Sequence, residues 1–437
     1  MTTTRTEAVR EYLRGALWLL PMLAAGVALV SGLVLTFVPV PEDSFLDILV
    51  FQGTPDDART LLFGIAGSVI TVMAVMLGLT IVALQLSSTQ FSPRLLRNFL
   101  HDRPNQVVLS VFVLTFTYAT GGLFTVGISR GERIEDYPRL AVTGALVLLF
   151  ASLFALLYFI HHLAHSIQVD AILKRSETLT LKSIEAGFPG RSHPAAEMAD
   201  PPVWAVPLPA PSSGYVQTAH PEKVLAVAGA EDVVVRYVPR VGDHVVAGLP
   251  LAWIWRASPE QPPPDPARLQ PSVDQAVRIG FERTHEQDAA LGIRELVDVA
   301  SKALSPAIND PYTAIQVIDR LTVVLTRLAE HRLGDAVAFD SSGTARVILP
   351  GIPFDEYVKL CCAQIRRFGS REPAVVRRLL RMLDLAAAVC EADSDRREAL
   401  ALHVRLVLED AQRDIAQPAD FDIIRSEGIE VMGRVTA

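Results

Sequence analysis

Four long apolar segments dominate the first part of the chain, at residues 16–38, 61–86, 107–128 and 140–163. A helix that crosses a hydrocarbon core of ~30 Å needs roughly 20 mostly apolar residues, and each segment reaches that length. The segment 61–86 contains no Asp, Glu, Lys or Arg, which is typical of a membrane span and unusual for a soluble core helix. We therefore expect four transmembrane helices.

The first apolar segment is not expected to be a signal peptide. It is longer than an h-region and no A-x-A site closes it, so we expect no cleavage. After the fourth segment the chain turns polar and stays polar to residue 437, which predicts a large water-facing region.

Basic residues collect on one side of the predicted spans. They are Arg5, Arg10, Arg14, Arg94, Arg97, Arg103, Lys174 and Arg175. The loop after the first span instead carries Glu42, Asp43, Asp47, Asp56 and Asp57 against Arg59. By the positive-inside rule, both termini are predicted to face the cytoplasm.

Cysteine content and charge agree with that placement. Cys361, Cys362 and Cys390 have no C-x-x-C or Cys/His framework, which indicates reduced cytosolic thiols rather than disulfides or zinc ligands. The net charge of −8 means that the chain lacks the excess of basic residues that binds nucleic acid, so we expect no nucleic-acid partner.

Prolines divide the chain into five segments. A four-span domain with a helical extension out of the membrane covers 1–187, and a Pro/Ala-rich linker covers 188–211. A small β module is predicted at 212–257, a Pro-rich linker at 258–268 and a mostly helical cytoplasmic domain at 269–437. The predicted fold class is thus an α-helical membrane domain plus a cytoplasmic α+β region.

The predicted β module contains a recognisable hairpin. Residues 241–251 read VGDHVVAGLPL and resemble the V-G-D-x-V-x-x-G-x-P-L hairpin of barrel-sandwich-hybrid domains, with Gly242 and Gly248 permitting the turns. Biotinyl and lipoyl carriers of that fold need a modifiable lysine at a hairpin tip, and Lys223 lacks the flanking pattern of such a site. We therefore predict a docking or scaffold module without a covalent cofactor.

The predicted helices after residue 269 are interrupted by one helix-breaking segment, called the breaker below. Its residues are Ser305, Pro306, Asn309, Asp310 and Pro311. Asp310 is predicted to cap the next helix with Pro311 at its first position, and Ser305-Pro306 can repeat that arrangement one turn earlier. A short hairpin is predicted at 336–349.

Three motifs in one order make the chain similar to a known family. QLSSTQFSPR stands at 85–94, DRPNQ at 102–106 and ALSPAINDP at 303–311. Together they resemble bacterial predicted membrane proteins of the domain of unknown function 2254 family, over most of residues 10–420. The resemblance implies a multi-pass protein of the bacterial inner membrane, and it carries no activity with it.

Hydroxyl and small residues form stripes within the spans, where carboxylates and lysines are missing. That absence disfavours proton-coupled transport. The stripes comprise Gly64, Gly67, Ser68, Thr71, Gly78 and Thr80 in span two, and Ser110, Thr117, Gly121 and Thr125 in span three. They fit either close helix packing or an aqueous path in a homo-oligomer. In the second case Ser68, Thr71, Gly78, Ser110, Thr117, Gly121 and Thr125 are pore-lining candidates, and Arg94, Arg97 and Arg103 form an anion-favouring cytoplasmic mouth.

Two clusters suggest chemistry only weakly. His161 and His165 lie one turn apart, but interfacial histidines usually need no metal, so we predict neither a metal nor another cofactor. Residues 282–288 (ERTHEQD) offer acid/base groups yet lack the second histidine of H-E-x-x-H, so a solvated or interface helix face is the better interpretation. We predict that the protein is not an enzyme.

Two functional classes remain. The first is a homo-oligomeric ion channel or permeation protein that its cytoplasmic domain assembles or gates, since four spans with hydroxyl-bearing faces exceed what an anchor requires. The second is a membrane-anchored scaffold or sensor that binds cytoplasmic protein partners through the β module and the helical domain. A membrane enzyme ranks third.

Overall fold

The computed structural model divides the chain into two units, Met1–Ala171 and Ile172–Ala437, called here the membrane unit and the C-terminal unit. The structure describes residues 18–38, 50–90, 103–126, 128–129, 132–133, 137–166, 168–188, 200–390 and 393–436. Of the predicted mouth, Arg94 and Arg97 lie outside these residues.

Four long helices make up the described part of the membrane unit. They are α1 (Leu19–Thr36), α2 (Pro55–Gln90), α3 (Arg103–Thr125) and α4 (Arg139–Ser166). All four are long and apolar enough to cross a bilayer, which confirms four candidate membrane helices where the sequence predicts spans. Between α3 and α4 the short strands β1 (Ile128–Ser129) and β2 (Glu132–Arg133) pair antiparallel.

Helix α2 begins earlier than its apolar segment because a polar cap starts it. Thr54 N donates to Asp57 Oδ2 at 2.9 Å, and Asp57 N donates back to Thr54 Oγ1 at 3.2 Å. This reciprocal arrangement satisfies two backbone N–H groups that a helix start leaves free, and Pro55 follows the cap where its missing N–H costs nothing. The helix therefore runs for 36 residues.

The C-terminal unit mixes helices with two sheets. Its described helices are α5 (Val169–Gly187), α6 (Glu222–Ala230), α7 (Pro266–Ala276), α8 (Ala289–Ala303), α9 (Pro311–Ala329), α10 (Phe354–Gly369), α11 (Pro373–Cys390), α12 (Ser394–Asp414) and α13 (Pro418–Thr436). Its strands are β3 (Val206–Pro209), β4 (Gly214–Ala219), β5 (Val234–Tyr237), β6 (His244–Val245), β7 (Pro250–Trp255), β8 (Val277–Gly280), β9 (Ala336–Phe339) and β10 (Ala345–Leu349). The predicted helical extension of span four is a separate helix, because α4 ends at Ser166 and α5 starts at Val169.

The two sheets draw on strands that are far apart in the sequence. One sheet has the order β3-β7-β5-β10-β9, in which β10 and β5 pair parallel with Val347 opposite Val235. The other has the order β6-β4-β8 with antiparallel pairs. Leu208, Tyr237 and Ile254 are buried in the core that these sheets share with α6 and α7.

The structure does not confirm a barrel-sandwich module at 212–257. Strand β5 pairs with β10 and strand β4 pairs with β8, so this segment completes its sheets with residues from outside it. Gly242 and Gly248 do adopt positive φ angles of 93° and 82°, as the hairpin motif requires.

Both proline-rich segments contain regular structure where linkers were predicted. Strand β3 lies at the edge of its sheet, where proline residues cost no ladder hydrogen bond that a central strand would need. Pro266 is the first residue of α7, whose cap is Asp265. Proline composition therefore marks an edge strand and a helix start here, as well as loops.

All three cysteines are free and buried in the C-terminal unit. Burial raises the pKa of the Cys362 thiol to about 12 and that of Cys361 well above its usual value. These thiols stay protonated at neutral pH and pack as small apolar side chains.

His403 is a buried titratable group on α12. Burial, with help from the positive charges of Arg366 and Lys359, lowers its pKa from 6.5 to about 4. The folded protein therefore favours neutral His403, and the unfolded chain binds the proton more readily between those two pH values. The stabilisation is complete above about pH 6.5 and is lost as the pH falls toward about 4.

We expect the C-terminal unit to lose about 3 kcal/mol of stability between pH 7 and pH 4 from this group alone, the linkage energy of its pKa shift. His403→Gln should flatten the pH dependence by that amount, read from the unfolding midpoint by the fluorescence of Trp253 and Trp255. His220→Gln, at a histidine of the same unit that lies 3.1 Å from Glu222 near the surface, is the control variant. An equal pH slope in parent and His403→Gln contradicts this assignment.

Candidate functional site

Large side chains fill the space between the helices of the membrane unit. Leu62, Phe112 and Phe159 are almost completely buried there. Tyr118 is also buried, and its hydroxyl donates to Ala141 O at 2.9 Å, which joins α3 to α4. These side chains form one buried cluster that joins the described parts of the four helices.

A buried hydroxyl pair also joins α3 to α4. Thr115 Oγ1 lies 2.8 Å from Ser152 Oγ, and it approaches Leu148 O at 3.3 Å. In hydrocarbon such a contact satisfies groups that would otherwise be costly to bury. Sequence reasoning missed this pair, although Ser152 stands alone as a hydroxyl in the middle of span four and was the available signal.

The predicted stripe on α3 is partly covered by neighbouring residues of the membrane unit. Ser110, Thr117 and Gly121 are half-buried, and Ser110 Oγ donates to Gln106 O of its own helix at 2.6 Å. Thr117 and Gly121 line an apolar cavity between α1 and α3. The stripe thus serves helix contacts in one copy, and the Thr125 side chain lies outside the described structure.

The predicted residues of α2 occupy a different surface. Ser68, Thr71 and Gly78 are exposed, and Thr71 Oγ1 donates to Gly67 O at 2.8 Å. A Cβ built on Gly64, Gly67 or Gly78 would meet no atom within 4 Å, so the helix is narrow along this side. The structure therefore separates the α2 candidates from the α3 candidates.

A polar stripe runs along the exposed side of α2. It consists of Asp57, Thr60, Gly64, Ser68, Thr71 and Gly78, which are all exposed and are spaced by three or four residues up to Thr71 and by seven from Thr71 to Gly78. This set is called the α2 stripe below. Its first four residues line an open groove of about 500 Å³ together with Phe51 and Leu149. Sequence reasoning found Gly64, Ser68, Thr71 and Gly78 of the stripe, did not include Thr60, and placed Asp57 only as a loop charge.

The remaining membrane candidates do not assemble into a site. Arg103 is exposed at the first residue of α3. The rings of His161 and His165 are tilted by 40° with centroids 4.1 Å apart, and His165 Nδ1 lies 2.8 Å from His161 O. Within the described residues, no group of three or more His, Cys, Asp or Glu side chains is placed to hold a metal ion.

The breaker at 305–311 forms a rigid turn between α8 and α9. Asp310 Oδ1 accepts from Thr313 N at 3.1 Å, and Pro311 is the first residue of α9. Asn309 has a φ of 50°, which lets Asp310 N donate to Ala303 O at 2.8 Å. Ser305 does not cap a second helix, because its hydroxyl donates backward to Lys302 O at 2.6 Å.

A buried ionic cluster holds α5 against the rest of the C-terminal unit. Glu295 Oε2 accepts from Ser176 Oγ at 2.9 Å, and Glu295 Oε1 lies 3.1 Å from His285 Nε2. Glu177 binds Arg320 at 3.1 Å and Lys174 at 2.7 Å, while Ser183 Oγ donates to His285 O. The residues Ser176, Glu177, His285, Glu295 and Arg320 are called the polar latch below.

The neighbouring segment 282–288 is a loop, where a solvated helix face was predicted. Arg283 donates to Asp288 through Nε at 2.7 Å and Nη2 at 2.8 Å, and Asp288 caps α8 by accepting from Leu291 N at 3.0 Å. Burial raises the pKa of Asp288, and the positive charge of Arg283 opposes that shift. Capping and charge pairing use these side chains, so the loop positions α8.

The polar latch fits a structural role better than catalysis. Both carboxylate oxygens of Glu295 have partners within the unit, and both oxygens of Glu177 have basic partners. A buried carboxylate that is paired on both oxygens fixes the elements that carry its partners. The latch thereby fixes α5 to α8 and α9.

We expect Glu295→Ala to destabilise the C-terminal unit by about 2–4 kcal/mol, because it leaves Ser176 and His285 without their buried partner. Glu295→Gln keeps one acceptor and should cost less than Glu295→Ala. The measurement is thermal unfolding in detergent, with Glu398→Gln on the exposed surface of α12 as the control. Equal unfolding temperatures of Glu295→Ala and the parent would contradict the stabilising role of the polar latch.

Comparison with known proteins gives a family and relatives whose names assign no activity. The family described as predicted membrane protein (DUF2254) matches residues 14–385. Uncharacterized protein Rv1290c of Mycobacterium tuberculosis is 45% identical over 427 residues, covering 95% of this chain and 80% of the relative. Uncharacterized protein Mb1321c of Mycobacterium bovis matches with the same identity and coverage. No solved structure matches the chain at a significant level.

Proposed function

The chain belongs to the DUF2254 family of predicted membrane proteins, and from that premise we propose that it is a homo-oligomeric permeation protein of the bacterial inner membrane. In this proposal ions pass between copies of the chain, along the α2 stripe. The apolar core of each copy supports a path between copies over a path within one copy, because the buried cluster and the cavity beside it are lined almost entirely by apolar side chains.

The observation that carries the proposal is the exposure of the α2 stripe on a helix that is long and apolar enough to span a bilayer. Polar residues within spans usually face protein or water, and glycines usually mark places where helices approach closely. A second copy on this side would cover the glycines, and the hydroxyls of Ser68 and Thr71 would face the shared path. Although Thr71 donates to its own backbone, its oxygen can still accept from water or coordinate a cation.

Charges at the two ends of α2 differ in sign. Asp57 lies in the first turn of α2, whereas Arg94 and Arg97 follow its last residue in the sequence. With both termini in the cytoplasm, the arginines would stand at the cytoplasmic mouth and Asp57 at the opposite mouth. An acidic ring favours cations and a basic ring favours anions, so the flux assay must include both.

The C-terminal unit would assemble or gate the path. Helix α5 begins three residues after the last residue of α4, and the polar latch fixes α5 to α8 and α9. A movement of α8 and α9 would therefore act on the chain segment that leads into α4.

Flux measurements with α2-stripe variants test the proposal. Proteoliposomes of the full chain should conduct ions, and Gly64→Leu with Ser68→Leu should lower the flux by about tenfold or more, because two leucines fill the groove. Gly26→Leu on α1 also adds a leucine at an exposed site with open space around it, and it should conduct like the parent. The proposal is contradicted if the parent passes none of the common anions and cations. It is also contradicted if the Gly64→Leu, Ser68→Leu variant and the Gly26→Leu variant give equal flux.

A scaffold function is the second candidate, and a mixed-charge groove of the C-terminal unit favours it. The groove has a volume of about 520 Å³ and is lined by Arg377, Arg378, Arg381, Asp384, Glu427 and Arg434 among others. Arg377 binds Glu427 at 2.6 Å and Arg434 binds Asp384 at 2.8 Å, so the groove presents charges in fixed positions. Such a surface suits a protein partner of complementary charge.

Point variants separate the two candidates better than deletion of residues 212–257 would. That segment supplies strands to both sheets, so its removal would disrupt the C-terminal unit. The scaffold function replaces the permeation function if two results are obtained together. The parent conducts no ions in vesicles, and cross-linking in cells joins a partner protein to α11 of the parent but not to α11 of the Arg381→Glu variant.

A further inference from the structure

An apolar cavity of about 290 Å³ lies between α1, α3 and the start of α4. It stands where α1 and α3 end and where α2 and α4 begin, since Gly32, Gly122, Leu62 and Ala141 all line it. These four helices are the candidate membrane spans, so the cavity lies within the part of the chain that hydrocarbon surrounds.

Side chains at the surface of the helices also line the cavity. Leu29, Leu33 and Phe124 line it and are exposed, with 90% of Phe124 accessible. Ala28 and Val142 line it from within and are almost completely buried. A chain that enters from the bilayer between α1 and α3 would therefore reach the interior of the unit.

Two glycines line the cavity where α1 and α3 approach each other. A Cβ built on Gly32 would lie 3.6 Å from Tyr118 Cε2, and a Cβ on Gly121 would lie 3.6 Å from Leu29 Cδ2. A methyl group at either position would make ordinary contact, whereas a longer side chain would occupy the cavity. Gly32 and Gly121 are therefore positions at which a leucine would extend into the cavity.

The lining selects an apolar occupant. Thr117 and Tyr118 carry its only side-chain polar atoms within the described residues, and the Tyr118 hydroxyl already donates to Ala141 O at 2.9 Å. Apolar lining atoms gain dispersion contacts when apolar atoms pack against them, and the bilayer supplies hydrocarbon chains. We propose that this cavity is a binding site for one acyl chain of a membrane phospholipid, inserted sideways between α1 and α3.

Photolabelling of the full chain in phosphatidylglycerol vesicles tests the proposal, with a trace of phosphatidylglycerol that carries a diazirine on one acyl chain. The label should concentrate on residues 28–33 and 117–126 relative to other exposed apolar segments of α2 and α4. Gly32→Leu with Gly121→Leu should lower labelling there by about tenfold, because the leucines occupy the site. Gly26→Leu, on the same helix α1 with open space around it, should label like the parent.

Thr117→Leu provides a milder filling variant should the double leucine variant fail to fold, as judged by its elution profile and unfolding midpoint. It should also lower labelling at residues 28–33, since Thr117 lines the cavity. Even labelling of all exposed helices, or unchanged labelling in a folded filled variant, overturns the proposal. Displacement of the label by free fatty acid at concentrations far below those of the phospholipid would assign the site to free fatty acid and would also overturn it.

Discussion

Hydrocarbon around the membrane unit is the constraint on which the rest of the structure depends. Without water, each backbone group must bond within the protein, so these segments form helices. Their hydroxyls follow the same requirement: Thr71, Thr80 and Ser110 donate to carbonyls of the preceding turn, and Thr115 meets Ser152 across two helices. The bilayer therefore determines both the secondary structure and the partners of the few polar side chains.

The same residue type has two opposite roles among these helices. Gly32 and Gly144 both face Tyr118, which lies between α1 and α4 because neither glycine has a side chain to displace it. Gly64 and Gly78 of α2 face open space. Glycines of the first kind allow packing within one copy, and those of the second kind leave a surface that a further copy could cover.

In the C-terminal unit, long-range contacts replace the separate modules that proline positions suggested. The parallel pair of β5 and β10 and the antiparallel pair of β4 and β8 join segments from both sides of the second proline cluster. The polar latch adds ionic contacts between α5 and two later helices. Pairings across such sequence distances leave no local pattern, so neither the shared sheets nor the latch could be predicted from spacing alone.

The sequence by itself determined the four membrane helices, the mostly helical C-terminal part, the turn glycines Gly242 and Gly248, and the cap at Asp310, because apolar length, backbone freedom and capping chemistry act within a few residues. Only the tertiary structure decided which surroundings the stripes of α2 and α3 face. Ser68 and Thr71 lie on an exposed side of α2, whereas Thr117 and Gly121 line an apolar cavity. Helical spacing places residues on one face of a helix, but the neighbouring helices determine whether that face meets side chains, lipid or another copy.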